Sequence, residues 1–290
     1  MAAPKKSTAM RRRKSGVIRA QSDFFRTARY GLTLQEYRVI YYAILAGQQD
    51  KKPFEPVTIS VRDFKELCGL KGKSPYSTLR NISKRIVGKS VEIGYKDADG
   101  LHFKQATWLT DITYHAREGK VTITPNKALQ PFFEGKPFTQ TEYYFLVKFT
   151  CQYSERLYEI LKTFDNKTIA DFKIDDLRAR LAVTEGKYPN YADLKRFVLE
   201  PAMKDINEFT DLSLDFREKR GMKNKVETIV FSIHKKKVLR LAARVQAGEY
   251  QPPLSDTEQE AWLNELIGEP SEGEDAPLHG QLMLDGGEVE

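Results

Sequence analysis

Hydrophobic positions in the first part of the chain follow helical and strand spacing in turn. Thr33 and Glu36 form a capping box before a helical apolar stripe that runs through residues 34–45. Alternation over residues 57–61 predicts a short strand, and helical spacing then continues to a C-cap at Gly69. The predicted order in this region is therefore helix, strand, helix.

A third helix and a hairpin follow. Ser74 is the predicted N-cap, Pro75 takes the first helical position, and Gly88 ends the apolar stripe. Residues 91–95 and 101–109 then alternate like two strands joined by an Asp-Gly turn. Helix, strand, helix, helix and hairpin is the element order of a winged helix-turn-helix domain.

The same order returns about 115 to 120 residues later. Residues 76–82 match residues 191–197 best, and the hairpin glycine Gly100 corresponds to Gly221. These matches predict an α+β fold with two winged-helix domains in tandem. A chance match of apolar patterns is the alternative.

Charge divides the chain into three regions. Residues 1–20 hold seven basic residues and no acid, whereas residues 249–290 hold twelve acids and no Lys or Arg. The body between them has 40 basic and 28 acidic residues. A basic body attracts polyanions because each neutralised phosphate releases counterions, so nucleic acid is the first partner to test. A basic surface that is simply solvated is the alternative.

Composition and pattern together predict five regions. They are a flexible basic arm (1–20), a first winged-helix domain (21–125), a linker (126–137), a second winged-helix domain (138–246) and an acidic, mostly disordered tail (247–290). We expect the arm to lie along phosphates, with a nuclear signal as the alternative. In the tail, residues 255–267 have the spacing of a short helix that forms on a partner. Residues 281–284 resemble the start of a sliding-clamp-binding peptide, although Asp285 stands where an aromatic is usual.

The residues that carry chemistry form no catalytic pattern. The two cysteines and four histidines lack the spacing of a disulfide framework or a metal site. Residues 69–74 resemble a phosphate-binding loop, but two residues separate the glycines where that loop needs four. No apolar run reaches about 18 residues, and no secretory signal follows the basic start. We expect a cytoplasmic protein that is not an enzyme and needs no cofactor or metal.

The third helix of the second unit carries the main DNA-binding candidates, because this helix enters the major groove in helix-turn-helix domains. Arg196 is the best candidate for base recognition, since a guanidinium can bind guanine O6 and N7. The pattern places Arg196 opposite a buried face that includes Phe197, and it predicts that Pro201 kinks or splits the helix. For Tyr191, packing on the wing is the alternative. The other candidates on or before this helix are Lys187, Tyr188, Asn190 and Lys195.

The two predicted wings differ in charge. Residues 217–225 carry five basic residues against one acid, whereas the first hairpin turn, residues 96–100, is nearly neutral. We therefore expect the second wing to bind phosphates through Arg217, Lys219, Arg220, Lys223 and Lys225. The first unit is expected to contact the DNA backbone or help form a dimer through Lys71, Lys73, Arg80 and Lys84. Two helices in successive major grooves would cover about 20 base pairs.

Three segments in order resemble the iteron-binding plasmid replication initiators. They are residues 28–38 (ARYGLTLQEYR), 154–162 (SERLYEILK) and 191–207 (YADLKRFVLEPAMKDIN), and the likeness covers about residues 17–235. The resemblance implies two winged-helix domains, monomers that bind directly repeated iterons, and dimers that repress their own promoter. It also implies that the helix with Lys195 and Arg196 recognises the iteron, and that the first domain supplies the dimer interface. Asp205 stands where the family usually has Glu.

The sequence therefore favours a non-enzymatic initiator of plasmid replication. It would bind double-stranded iteron DNA cooperatively, strain adjacent A·T-rich DNA until it melts, and recruit host helicase and initiator proteins. A transcriptional repressor with the same fold is the alternative hypothesis. A DNA nickase is disfavoured, because no paired histidines are present to hold its metal.

Overall fold

A computed structural model describes residues 16–70, 76–97, 100–164 and 168–236 of the chain. Most of the basic arm, the acidic tail with both of its predicted motifs, and the candidates Lys71 and Lys73 lie outside these residues. Within them, no helix combines the length and apolar character needed to cross a membrane.

The first domain follows the predicted order of elements. Thr33 caps the long second helix, and its backbone N–H donates to Glu36 Oε2 at 2.8 Å, so the capping box is confirmed. Gly69 has the left-handed φ of +67° expected of a residue just past a helix end. The elements are β1 (Val17–Gln21), α1 (Ser22–Thr27), α2 (Leu34–Gln49), β2 (Val57–Ser60), α3 (Val61–Leu67), α4 (Tyr76–Val87), β3 (Ser90–Asp97), β4 (Gly100–Thr107), β5 (Leu109–His115) and β6 (Lys120–Pro125).

The first wing is not the hairpin that the sequence indicated. β3 and β4 pair as predicted, but they form a two-stranded sheet of their own. β2 instead pairs with β6, and β6 pairs with β5. The β5–β6 hairpin, which turns at Gly119, is therefore the first wing. Polar and apolar residues alternate in both hairpins, so only the non-local pairing of β2 shows which hairpin is the wing.

The second domain repeats this arrangement. Its strands have the order β8-β10-β9, which matches β2-β6-β5 of the first domain. The elements after β6 are a 3₁₀ helix (Lys127–Phe133), β7 (Phe138–Glu142), α5 (Tyr143–Lys148), α6 (Ser154–Lys162), β8 (Ile169–Lys173), α7 (Ile174–Arg180), α8 (Tyr191–Leu194), a π-helical turn (Lys195–Leu199), α9 (Glu200–Phe209), β9 (Leu212–Arg220), a 3₁₀ turn (Met222–Asn224) and β10 (Val226–Lys235).

The expected arm and linker both contribute ordered structure to the first domain. β1, which includes the last residues of the expected arm, pairs antiparallel with β7, and Ile18 is fully buried. In the expected linker, Leu129 and Phe133 of the 3₁₀ helix pack into the first hydrophobic core. Apolar side chains among basic or proline-rich neighbours thus anchor both segments.

Pro201 does not split the helix of residues 191–209, which we call the recognition helix. The helix instead widens into a π turn directly before α9, and the Glu200 N–H donates to the Lys195 carbonyl five residues back. A proline cannot donate a hydrogen bond, and its ring crowds the carbonyl four residues before it, so the wider turn gives it room. The turn exposes 45% of Phe197 and keeps Val198 and Leu199 buried, so the predicted burial of Phe197 is wrong.

Helix α6 joins the two domains through a buried polar network. All nine of its residues are buried. Arg156 donates to Glu159 Oε2 and to the Tyr30 hydroxyl, each at 3.3 Å, and to the Ala28 carbonyl at 2.5 Å. Tyr30 also donates to Glu159 at 2.6 Å. Arg156 and Glu159 neutralise each other, and neutral groups of the first domain complete their hydrogen bonds.

Glu155 on the same helix is 1% exposed, and among the described residues its Oε2 has no hydrogen-bond partner. Burial, followed by the charge of Glu159, raises the pKa of Glu155 well above its ordinary value of 4.5. Above pH 4.5 the unfolded chain loses this proton while the folded chain keeps it. The contribution of Glu155 to the free energy of unfolding then falls as pH rises towards the folded pKa.

We predict that Glu155→Gln, which mimics the protonated acid, removes this fall in stability with rising pH. The variant should gain stability relative to the wild type as pH rises above 4.5, by at most about 1.4 kcal/mol per pH unit. Urea unfolding between pH 5 and pH 8 measures it. The exposed Glu185→Gln is the matched control and should leave the profile unchanged. Parallel profiles for Glu155→Gln and the wild type would contradict the prediction.

Candidate nucleic-acid interface

The start of the recognition helix is fixed by its cap. The Asn190 side chain accepts from the Asp193 N–H at 2.8 Å and donates to Asp193 Oδ2 at 2.8 Å. Further along, Leu194, Val198 and Ile206 are fully buried in the second core. Asn190, a candidate DNA contact in the sequence, thus has a capping role in this structure.

The loop before the helix is held from α7. Arg178 donates to the Tyr188 carbonyl at 2.6 Å and to the Lys187 carbonyl at 3.3 Å. Tyr188 adopts a φ of +54°, which is uncommon for a residue other than glycine. Lys187 is exposed, and its Nζ lies 5.1 Å from the centre of the Tyr188 ring. These contacts place an aromatic ring and a cation together at the head of the helix.

An acidic residue of the wing joins it to the recognition helix. Glu218 on β9 accepts from the Tyr191 hydroxyl at 2.8 Å and from Lys195 Nζ at 3.1 Å, through the same Oε1. Its other oxygen accepts from Arg220 at 2.6 Å. Burial alone would raise the pKa of Glu218, but hydrogen bonds from these three residues lower it overall. Tyr191 therefore packs on the wing, as the alternative interpretation proposed.

Arg196 is the candidate that the helix presents most openly. Its side chain is exposed, and its Cζ lies 5.2 Å from the centre of the Phe197 ring. Among the described residues, Lys195 and Arg220 form ion pairs with Glu218, whereas the Arg196 guanidinium forms none. The five donors of an arginine are thus available to a partner on the outer face of the helix.

The basic wing residues fall into two groups. Arg217 and Lys219 alternate with Phe216 and Glu218, so they project from the sheet face opposite the recognition helix, and both are exposed. Lys223 and Lys225 are exposed at the turn between β9 and β10. The turn is shaped locally, since Arg220 also donates to the Asn224 carbonyl at 3.2 Å.

The described DNA-binding candidates of the first domain line a groove of that domain. Arg80 and Lys84 are exposed on α4 and line a groove of about 460 Å³ between that helix and β5. Leu79, Val87 and Ile112 form part of its apolar lining. Nothing in these contacts joins Arg80 or Lys84 to the basic wing of the second domain.

Sequence reasoning missed three residues that shape the interface. Glu218 could have been found from the alternation of its strand, which places it on the face with Leu214 and Phe216. Arg178 and Phe197 gave no such signal, because one acts on backbone carbonyls and the other depends on the π turn. Among the described residues, no group of three His, Cys, Asp or Glu side chains could hold a metal ion.

We predict that Glu218→Gln weakens discrimination between DNA sequences. Without the negative charge, Lys195 and Arg220 become available to phosphates, so affinity for random-sequence duplex rises. The slope of log K against log salt should steepen by about one to two. Fluorescence anisotropy across a salt series measures both quantities.

The matched control is Glu227→Gln, which removes an exposed acid from the same wing. Its salt slope should change less, because Glu227 lies on β10 and is not the acceptor for Lys195 and Arg220. Equal changes in both variants would show that only net charge matters.

Comparisons with known proteins agree with this architecture. A family model described as "Initiator Replication protein, WH1" matches residues 17–162, and one described as "Initiator Rep protein, WH2" matches residues 173–233. The predicted pair of winged-helix domains is thus confirmed. A replication initiation protein of Escherichia coli is 22% identical over 228 residues, covering 76% of this chain and 70% of that protein.

Among solved structures, the Pi initiator protein in complex with iteron DNA has the same fold. The TM-score is 0.57 at 21% sequence identity, and the match covers 77% of this chain and 99% of that one. The two family models together span most of the described residues, from β1 to β10. This chain therefore belongs to the family of replication initiator proteins with two winged-helix domains.

Proposed function

We propose that this protein initiates plasmid replication by binding direct-repeat iterons through its second winged-helix domain. The proposal rests on one observation. Arg196 is exposed on the recognition helix, and the second hydrophobic core, the Asn190 cap and Glu218 hold that helix beside the basic wing. The Pi initiator, whose fold is similar, is known in complex with iteron DNA. Family membership supports initiation as the process that this binding serves.

The proposed contacts divide into two kinds. Arg196 binds a guanine edge in the major groove, where it contributes discrimination of about 1 to 3 kcal/mol. The cations around it bind phosphates, which sets affinity and its dependence on salt. This second group consists of Lys187, Arg217, Lys219, Lys223 and Lys225, because Glu218 holds Lys195 and Arg220 in ion pairs.

In the proposed mechanism the protein acts by binding and not by bond chemistry. Contacts from both domains to successive grooves repay the few kcal/mol needed to bend DNA, and adjacent A·T-rich DNA then opens. Arg80 and Lys84 in the first domain are the described candidates for backbone contacts there. Host helicase and initiator proteins, with the sliding clamp as a further candidate, would join the opened origin.

We also propose that the first domain forms the homodimer that represses the protein's own promoter. Phe103 on β4 is 70% exposed, and its cross-strand neighbour on β3 is Gly94, which has no side chain to cover it. An exposed large aromatic ring on a hairpin edge favours an interface with a second copy. Monomers would then remain free to bind iterons.

We predict that Arg196→Ala abolishes a footprint of several direct repeats on the DNA flanking the protein's own gene. Each repeat should span about two helical turns. The measurement is nuclease protection at stated salt, with Lys219→Ala as the control. That variant should weaken binding to every repeat by the same factor and keep the ranking of their affinities, because phosphates carry no sequence information.

Two results would contradict the proposal. Protection of a single inverted repeat, without protected direct repeats, would indicate a repressor. The absence of any discrete protection would show that the basic surface binds DNA without sequence preference.

We further predict that Phe103→Ser weakens the dimer at least tenfold, because a buried phenylalanine contributes about 1.5 to 3 kcal/mol. Sedimentation equilibrium across a concentration series measures the dissociation constant. Met222→Ser, which changes a side chain that is 85% exposed on the second domain, should leave it unaltered. Equal dimer affinity in both variants would place the interface elsewhere.

A further inference from the structure

The recognition helix exposes an aromatic side chain next to its best base-reading candidate. Phe197 is 45% exposed, although the residues around it in sequence, Leu194 and Val198, are fully buried. The π turn produces this exposure, since it inserts one more residue into a helical turn. An apolar ring in this position has no role in the core of the domain.

Contacts on the surface hold the ring in place. Phe197 stacks on Tyr188 with a centroid distance of 5.5 Å and an interplanar angle of 20°. Tyr188 is itself anchored by Arg178, which donates to its carbonyl at 2.6 Å. A surface that is already ordered loses little conformational entropy when it binds a ligand.

The surroundings of the ring favour nucleic acid as its partner. Lys187 lies over Tyr188 with its Nζ 5.1 Å from the ring centre, and Arg196 lies over Phe197 at 5.2 Å. A protein partner would need a larger uncharged apolar area than this pair of rings between two cations offers. Duplex DNA, in contrast, combines phosphates for the cations with one apolar group in its major groove, the thymine 5-methyl.

We propose that Phe197 is a specificity-determining residue that contacts a thymine 5-methyl group in the major groove. The proposal rests on the proposed function, because it needs the recognition helix in that groove. Arg196 Cζ lies 5.2 Å from the Phe197 ring, and base pairs rise by about 3.4 Å. The thymine is therefore one or two base pairs from the guanine that Arg196 binds.

The test uses the repeat protected in the footprint, synthesised once with thymine and once with deoxyuridine at every thymine position. The two duplexes differ only in the 5-methyl groups. Wild-type protein should bind the thymine duplex about fourfold more tightly, the value for one buried methyl. Phe197→Ala should bind both duplexes with equal affinity, and Phe197→Leu should retain part of the preference. Fluorescence anisotropy gives the four dissociation constants of each cycle.

Met222→Ala is the matched control, because it shortens another exposed apolar side chain and should keep the fourfold preference. The unfolding midpoint of Phe197→Ala should equal that of the wild type, since the ring lies outside the core. The proposal is overturned if Phe197→Ala and the wild type show an equal thymine preference, or if the wild type shows none. In either case, an Arg196-dependent footprint would still support the proposed function. If no repeat is protected at all, both fail.

Discussion

The ion pair between Arg156 and Glu159 is the interaction on which the arrangement of the two domains depends. Both side chains are at most 2% exposed, and both are on α6, whose apolar residues pack into the second hydrophobic core. Their remaining partners, Tyr30 and the Ala28 carbonyl, come from the first domain. Removing either charge would leave the other buried and unpaired, which typically costs 3 to 5 kcal/mol. Separating the domains would remove the hydroxyl and carbonyl partners at once.

The same helix also contacts the recognition helix. At its N-terminal end, Asp205 of α9 accepts from Thr150 N, Cys151 N and Ser154 Oγ at 2.6 to 2.8 Å. A carboxylate with this many donors stabilises the backbone turn into α6 and fixes α9 against it. Helix α6 thus has an interdomain network along its length and the recognition helix at its start. Arg156, Glu159 and Lys162 are kept inside the protein by their ion pairs and hydrogen bonds, whereas Glu155 is kept there by retaining its proton.

Local chemistry in the sequence predicted the elements well. The capping box at Thr33 and the β3–β4 hairpin both involve residues within a few positions of one another. Features that depend on distant partners could not be predicted in this way. The first wing is decided by the pairing of β2 with β6, and the charges of α6 would suit a solvated helix equally well.

The same contrast between local pattern and distant partners applies to the candidate site. Spacing predicted correctly that Arg196 is exposed, but counting charges treated Glu218 only as a loss of basic character. In the structure Glu218 forms ion pairs with Lys195 and Arg220, so part of the basic charge positions the wing. The number of cations in a segment therefore overstates the number that are free to bind phosphate.

Pro201 links the backbone of the recognition helix to the surface that it presents. An uninterrupted α-helix would place Leu194, Phe197 and Val198 on one face by their spacing of three and four. The π turn before Pro201 spreads its residues over a longer turn, so Arg196 and Phe197 both reach solvent while Val198 and Leu199 stay in the core. A cationic and an apolar group thereby become neighbours on one exposed surface. The proline, which has no polar side-chain group of its own, thereby determines which side chains the helix exposes.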